Sequence, residues 1–195
     1  MPTETRDTLA GGYGALMRGN YAGALNAYDS VLDREPDNVS ALMGRAAALH
    51  KLGMAAEARD AYERVLARQP DNREALTNMI ALIGDADPAT AIAELERLQS
   101  VAPDFSPIPA QLGMLLARQG RVGEAMGALR RAIVLSPENA LYHYNMAVVA
   151  DRAGRAGDAA RSYDRVLRLI DGGGAPAGLR AQAIRDRLRY LRARL

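Results

Sequence analysis

His50 and His143 are the only histidines of this 195-residue chain, and the chain has no cysteine. A zinc site draws three or four ligands from His, Cys, Asp and Glu at short spacing. The two histidines lie far apart in sequence, and neither has a pair of carboxylates beside it at ligand spacing. Without cysteine there is no disulfide, no thiolate ligand and no cysteine nucleophile. The acids Asp60, Glu63, Asp85, Asp87, Glu94 and Glu96 fall on solvated helix faces, and no two are paired for acid–base work. Gly11-Gly12-Tyr13-Gly14 lacks the preceding strand and the following Lys-Ser/Thr of a phosphate cradle. These residues assign no catalytic group, no cofactor and no metal, and predict a protein that is not an enzyme. His50 then reads as a hydrogen-bonding or merely exposed side chain, and His143 as a ring packed between helices.

The elements that position these side chains follow from composition and punctuation. Hydrophobic residues make up 49% of the chain, with eight Tyr, one Phe and no Trp. The dominance of Ala, Leu and Gly suits close helix packing better than sheet. Prolines recur at Pro36, Pro70, Pro103 and Pro137, spaced by 34, 33 and 34 residues. Each stands in a short polar loop, where it stops one helix and the following Asp, Asn or Glu helps to cap the next. An alanine precedes each proline by twelve residues (Ala24, Ala58, Ala91, Ala125), and a larger residue precedes it by eight (Tyr28, Tyr62, Leu95, Leu129). Val31, Val65, Leu98 and Ala132 come five before it. A fifth copy carries Ala159, Tyr163 and Val166 without the proline. Small residues belong where two helix backbones come closest, and larger ones fill the space alongside. Gly19, Gly53, Gly120 and Gly154 mark a turn inside four units, with a left-handed position expected there. The third unit is one residue shorter and has Gly84-Asp85-Ala86-Asp87-Pro88 instead, with Asp87 placed to cap and Pro88 to open the next helix.

This pattern resembles the tetratricopeptide repeat, whose period is 34 residues. The nearest copy is Leu112-Gly113, Leu116, Gly120, Ala125, Leu129, Ala132 and Pro137, and the resemblance covers residues 4 to 171. It implies an all-α fold, a tetratricopeptide-repeat superhelix (an α-α solenoid) of about five helix-turn-helix repeats. The expected repeats are 5–38, 39–72, 73–105, 106–139 and 140–171, forming one domain over 1–195 with a capping helix at 177–195. Helices are predicted over 5–18, 21–34, 39–52, 55–68, 73–83, 88–101, 107–119, 122–135, 141–153 and 156–169. A single hairpin cannot bury its own apolar face, so stacking supplies the core. In the last helix, Ile184, Leu188, Leu191 and Leu195 form one stripe, and Arg185, Arg187, Arg189, Arg192 and Arg194 lie mostly off it.

In proteins of this family the first helix of each pair lines a concave inner wall. The resemblance therefore implies a partner-binding groove made by Leu9, Tyr13, Met43, Ala47, His50, Thr77, Ala81, Met114, Tyr144 and Val148, with Leu16, Gly84, Ala110, Ala117 and Asp151 alongside. Such an apolar wall suits an amphipathic helix or an extended apolar peptide. Some relatives hold a peptide C-terminus with a clamp of Lys, Arg and Asn. Asn78 and Asn145 are present here, but Met43, Ala47, Ala81 and Ala110 stand where such a clamp needs polar groups. Arg6, Lys51, Arg118 and Arg152 remain near the edges.

Charge separates the competing functions. Net charge is +2, yet residues 178–195 hold six Arg and one acid, which leaves the rest of the chain at −3. Lys51 is the one lysine among 25 basic residues, a bias that reads as genome base composition. The basic last helix raises nucleic-acid or anionic-membrane contact as an alternative to capping. The rest of the chain is net acidic and the stripe has no Trp or Phe anchor, so neither nucleic acid nor membrane is the expected partner. A self-associating array, a homo-oligomer, is the other alternative. Met1-Pro2-Thr3-Glu4-Thr5 starts no apolar run, and no stretch reads as a membrane span. The expectation is a cytoplasmic protein, or a periplasmic one if an N-terminal anchor has been removed. The short third unit, Leu112 to Arg121 and Tyr144 to Arg152 are also similar to bacterial accessory proteins of type IV or mannose-sensitive-haemagglutinin pilus biogenesis, which implies an envelope scaffold.

Overall fold

A computed structural model describes residues 3–84, 87–173 and 179–195. Its helices are α1 (Thr3–Met17), α2 (Tyr21–Leu32), α3 (Val39–Lys51), α4 (Ala55–Arg68), α5 (Arg73–Ile83), α6 (Pro88–Val101), α7 (Pro107–Arg118), α8 (Val122–Leu135), α9 (Ala140–Arg152), α10 (Ala156–Asp171) and α11 (Ala181–Arg192). No strand occurs among the described residues. The all-α helix-turn-helix class read from the sequence is the class of the fold.

Helix ends sit where local chemistry puts them. Asn38, Asn72 and Asn139, each two residues after a loop proline, cap α3, α5 and α9, their side chains accepting from the amides of Ala41, Ala75 and Leu141. Gly19, Gly53, Gly120 and Gly154 take φ between 71° and 77°, the left-handed turn expected of them. The third unit turns differently. Gly84 is right-handed at φ −59°, and the Asp87 carboxylate accepts from the amides of Ala89 and Thr90, both at 3.1 Å, with Pro88 opening α6. Asp85 and Ala86 of that turn lie outside the described residues.

The chain forms two compact units, residues 1–86 and 87–195. In the first, α1 to α5 pack in chain order, and α1 also touches α3. In the second, α6 to α11 pack in chain order, and α7 also touches α9. The periodic positions make the cores. Ala24, Ala58, Ala91, Ala125 and Ala159 are buried, as are Tyr28, Tyr62, Leu95, Leu129 and Tyr163 beside them. The closest approach involves a glycine: a Cβ on Gly44 would stand 2.1 Å from Cζ of the buried Tyr28 ring.

Arginine ties loops to helices at a fixed register. Arg64 and Arg131 donate to the carbonyls of Pro36 and Pro103, at 2.7 and 3.1 Å, and Arg165 at the corresponding place reaches Glu138 at 2.6 Å. A second link is made of hydroxyls: Ser136 donates to Ser106 at 2.8 Å, and Ser106 lies 3.3 Å from the Tyr142 hydroxyl.

Three expectations are corrected. The last helix begins at Ala181 rather than 177: Leu179 and Arg180 are non-helical, and 177 and 178 lie outside the described residues. Leu195 is 74% exposed, so the buried stripe of α11 is Ile184, Leu188 and Leu191. His143 is only half-buried, with Nε2 2.8 Å from the Pro137 carbonyl, because the loop carbonyl offers its ring nitrogen a partner that the helix interior lacks.

Two glycines test this packing. Gly44→Ala should lose about 1–3 kcal/mol as the Tyr28 ring is displaced. Gly127→Ala, in α8 where a Cβ would meet nothing within 4 Å, should gain about 0.5–1 kcal/mol. Urea midpoints at unchanged m-values measure both.

Candidate functional site

The first helix of each hairpin has one face in the core, and the expected wall residues lie off it. On α3, Leu42, Ala46 and Leu49 are buried, and Met43, Ala47 and His50 follow a neighbouring i, i+4, i+7 line, each half-buried. On α1, Leu9 packs partly against the cluster of Ala15, Ala24 and Tyr28, and Tyr13 is 60% exposed. Thr77 and Ala81 on α5 are exposed, and the Thr77 hydroxyl donates to the Arg73 carbonyl at 2.7 Å. Asn78 is spent on the buried Tyr62 phenol, whose pKa burial pushes up to about 12, with the nearby Glu74 carboxylate adding to the rise.

In the second unit, Met114 of α7 and Val148 of α9 come together. They line a cleft of about 420 Å³ with Ala117, Val122, Val149 and Ala153, and Arg118 and Arg152 flank it. Ala110 has left the wall and is buried with Ala132 and Tyr142, since its small side chain fits the helix contact. Tyr144 sets its ring edge-on to Tyr163, with centroids 6.2 Å apart. Among the described residues, no group of three or more His, Asp and Glu is placed to hold a metal ion. No helix of the described residues is long and apolar enough to cross a membrane.

Two family models described as tetratricopeptide repeat match residues 15–83 and 110–174. The chain belongs to the tetratricopeptide-repeat family. Human tetratricopeptide repeat protein 13 is 29% identical over 140 residues, 72% of this chain, and the chain spans only 13% of the length of that relative. Among solved structures, MamA from Desulfovibrio magneticus RS-1 matches at TM-score 0.68 and 21% identity, over 90% of this chain and 99% of that one. YrrB, described as a TPR protein with an unusual peptide-binding site, matches at TM-score 0.59 and 21% identity, over 81% and 82%. These structural likenesses concern the fold.

Beyond the fifth tetratricopeptide repeat, α11 closes the second unit with charges that the repeat pattern does not contain. Ile184, Leu188 and Leu191 are buried against it. Arg187 donates from Nε and Nη2 to both oxygens of Asp151, at 2.7 and 2.6 Å. Arg192 reaches Asp164 at 2.8 Å, and Arg185 reaches Asp171 at 3.0 Å. The guanidinium of Arg187 holds the Asp151 carboxyl below its ordinary range, with the Tyr163 hydroxyl adding a weaker bond at 3.3 Å. Burial, then the Asp151 charge, pushes Tyr163 up to about 12. Tyr144, Tyr163 and the α11 residues Ala183, Ile184 and Arg187 line a further cleft of about 240 Å³, which Arg180 also borders. Asp151 is therefore engaged by the terminal helix, whereas Met114 and Val148 line the cleft between α7 and α9. One signal in the sequence points to this contact: Asp151 stands where the preceding repeat has Ala117, a polar departure in an apolar row.

Asp151→Asn should loosen α11 by about 1–2 kcal/mol, a modest loss because the Arg187 side chain is 45% exposed. Amide exchange over 184–191 should accelerate about five- to thirty-fold. The lowered native pKa also sets a sign. In the unchanged protein this contribution is complete above the unfolded carboxyl value of about 4, and it is lost as pH falls through the lower native value. Exchange measured against pH should show that loss in the parent and not in Asp151→Asn.

Proposed function

We propose that this protein is a non-catalytic scaffold whose first helices hold a segment of another protein. The observation that supports the reading is the partial exposure, within each unit, of the residues expected to bind. Leu9, Tyr13, Met43, Ala47, His50, Thr77, Ala81, Met114, Tyr144 and Val148 all lie outside the fully buried class, although most are apolar and sit on helices whose other face is core. Partly exposed apolar rows on rigid helices are what helix-in-groove and extended-peptide recognition use. Membership of the tetratricopeptide-repeat family supports protein binding in general. The peptide-binding site attributed to YrrB supports a peptide as occupant. No pathway is part of this reading.

Self-association is the competing use of the same fold. Met43→Glu and Val148→Glu place a carboxylate in the wall of each unit and separate the two. With helicity and size in solution unchanged, each variant should lose at least tenfold in affinity for the partner that the parent captures, as about 1.4 kcal/mol requires. Retention of that partner at the parent affinity by both variants would overturn the reading. So would loss of a homo-oligomer with heterologous binding intact.

A further inference from the structure

From the cleft between α7 and α9 we infer the chemistry of the segment it takes: an internal stretch of a partner protein in which apolar side chains neighbour glutamate or aspartate. The inference rests on the scaffold reading above and gives its second unit a ligand class.

Met114, Ala117, Val122 and Val148 make the apolar lining, and each is partly open to solvent. The volume of about 420 Å³ falls within the roughly 300–1,000 Å³ of ligand pockets. Arg118 and Arg152 stand beside this lining at the same repeat position, one at the end of α7 and the other at the end of α9. Among the described residues neither has a hydrogen bond or an ion pair, and the acids nearest in sequence are already engaged. Glu124 gives both oxygens to Arg121, at 2.7 and 2.6 Å. Asp151 gives both to Arg187. Asp158 is shared by Arg155, at 2.7 Å, and Arg161. The protein therefore neutralises the arginines around this cleft and leaves two on its border with their charge unspent.

Guanidinium groups bind carboxylates in forked pairs, and the pairing strengthens where apolar surface excludes water. An apolar ligand alone would leave both charges unused, and a basic one would be repelled. The Asn residues that help to hold a chain terminus in some relatives are absent from this lining. The carboxylate recognised is thus a side chain, not the end of a chain.

The test uses the full chain and a fluorescein-labelled, C-terminally amidated peptide in which leucine alternates with glutamate, read by anisotropy. Counterparts carry glutamine or lysine in place of glutamate. The glutamate peptide should bind tightest, weaken as salt rises, and lose about fivefold for each of Arg118→Ser and Arg152→Ser. Both substitutions are at exposed positions, and unchanged circular dichroism confirms the fold. Val148→Glu should abolish binding, and a free C-terminus on the peptide should change nothing. Equal affinity for the glutamine peptide, indifference to both arginine substitutions, a requirement for the free C-terminus, or no binding of any peptide would each overturn the inference. If Met43→Glu and Val148→Glu still lose the captured partner after such a result, the scaffold reading stands without this ligand class.

Discussion

How closely two helices can approach at Ala24, Ala58, Ala91, Ala125 and Ala159 decides the rest of the structure. Each of these methyl groups is buried, and the side chains four and seven residues further on are buried with it. A bulkier residue there would push the helices of a hairpin apart and open voids beside Tyr28, Tyr62 or Leu129. The contact also fixes which face is left over. With one face of α3 against its partner α4 and another against the preceding hairpin, the row of Met43, Ala47 and His50 is neither core nor fully solvated. The candidate wall is thus a by-product of the packing, and its rigidity comes from the same alanines.

Features decided by chemistry within a few residues were legible in the sequence. Asn caps, turn glycines and loop prolines act locally, so most predicted helix ends fall within a residue or two of the observed ones. The third repeat shows the same principle in its exceptions: Asp87 caps and Pro88 opens α6, both readable from the residues themselves. Partners distant in sequence were not legible. Nothing in the period says that Arg187 will meet Asp151, that Ser106 will join Ser136 and Tyr142, or that Ala110 will sink into a core contact. The candidate wall is a set of positions implied by the family resemblance, and nothing in that set says that α11 would engage Asp151 beside it. That depends on where one terminal helix docks, an event without a repeat to average over.

The use of arginine also reads differently once partners are known. A nearly lysine-free chain was attributed to base composition, yet Arg64, Arg131 and Arg165 recur at one register and reach a neighbouring loop each time. Base composition can supply the arginines, but it does not place them. The guanidinium fork satisfies a carbonyl or a carboxylate at a loop that the alanine contact alone would leave unfastened. Exposed pairs of this kind add little individually. Their effect here is on geometry, because they fix the loops from which the wall helices start.

Charge pairing also determines what the basic last helix presents to solvent. The chain outside it is net acidic, and Asp151, Asp164 and Asp171 meet Arg187, Arg192 and Arg185. Much of the positive charge on α11 is therefore balanced by the body it covers, which favours a cap over a phosphate-binding element. By contrast, Arg118 and Arg152 border a cleft lined by two candidate wall residues of successive repeats, and no carboxylate among the described residues pairs with them. Where the fold needs arginine it supplies the acid, and where it leaves arginine beside open apolar surface the missing acid is looked for in a partner.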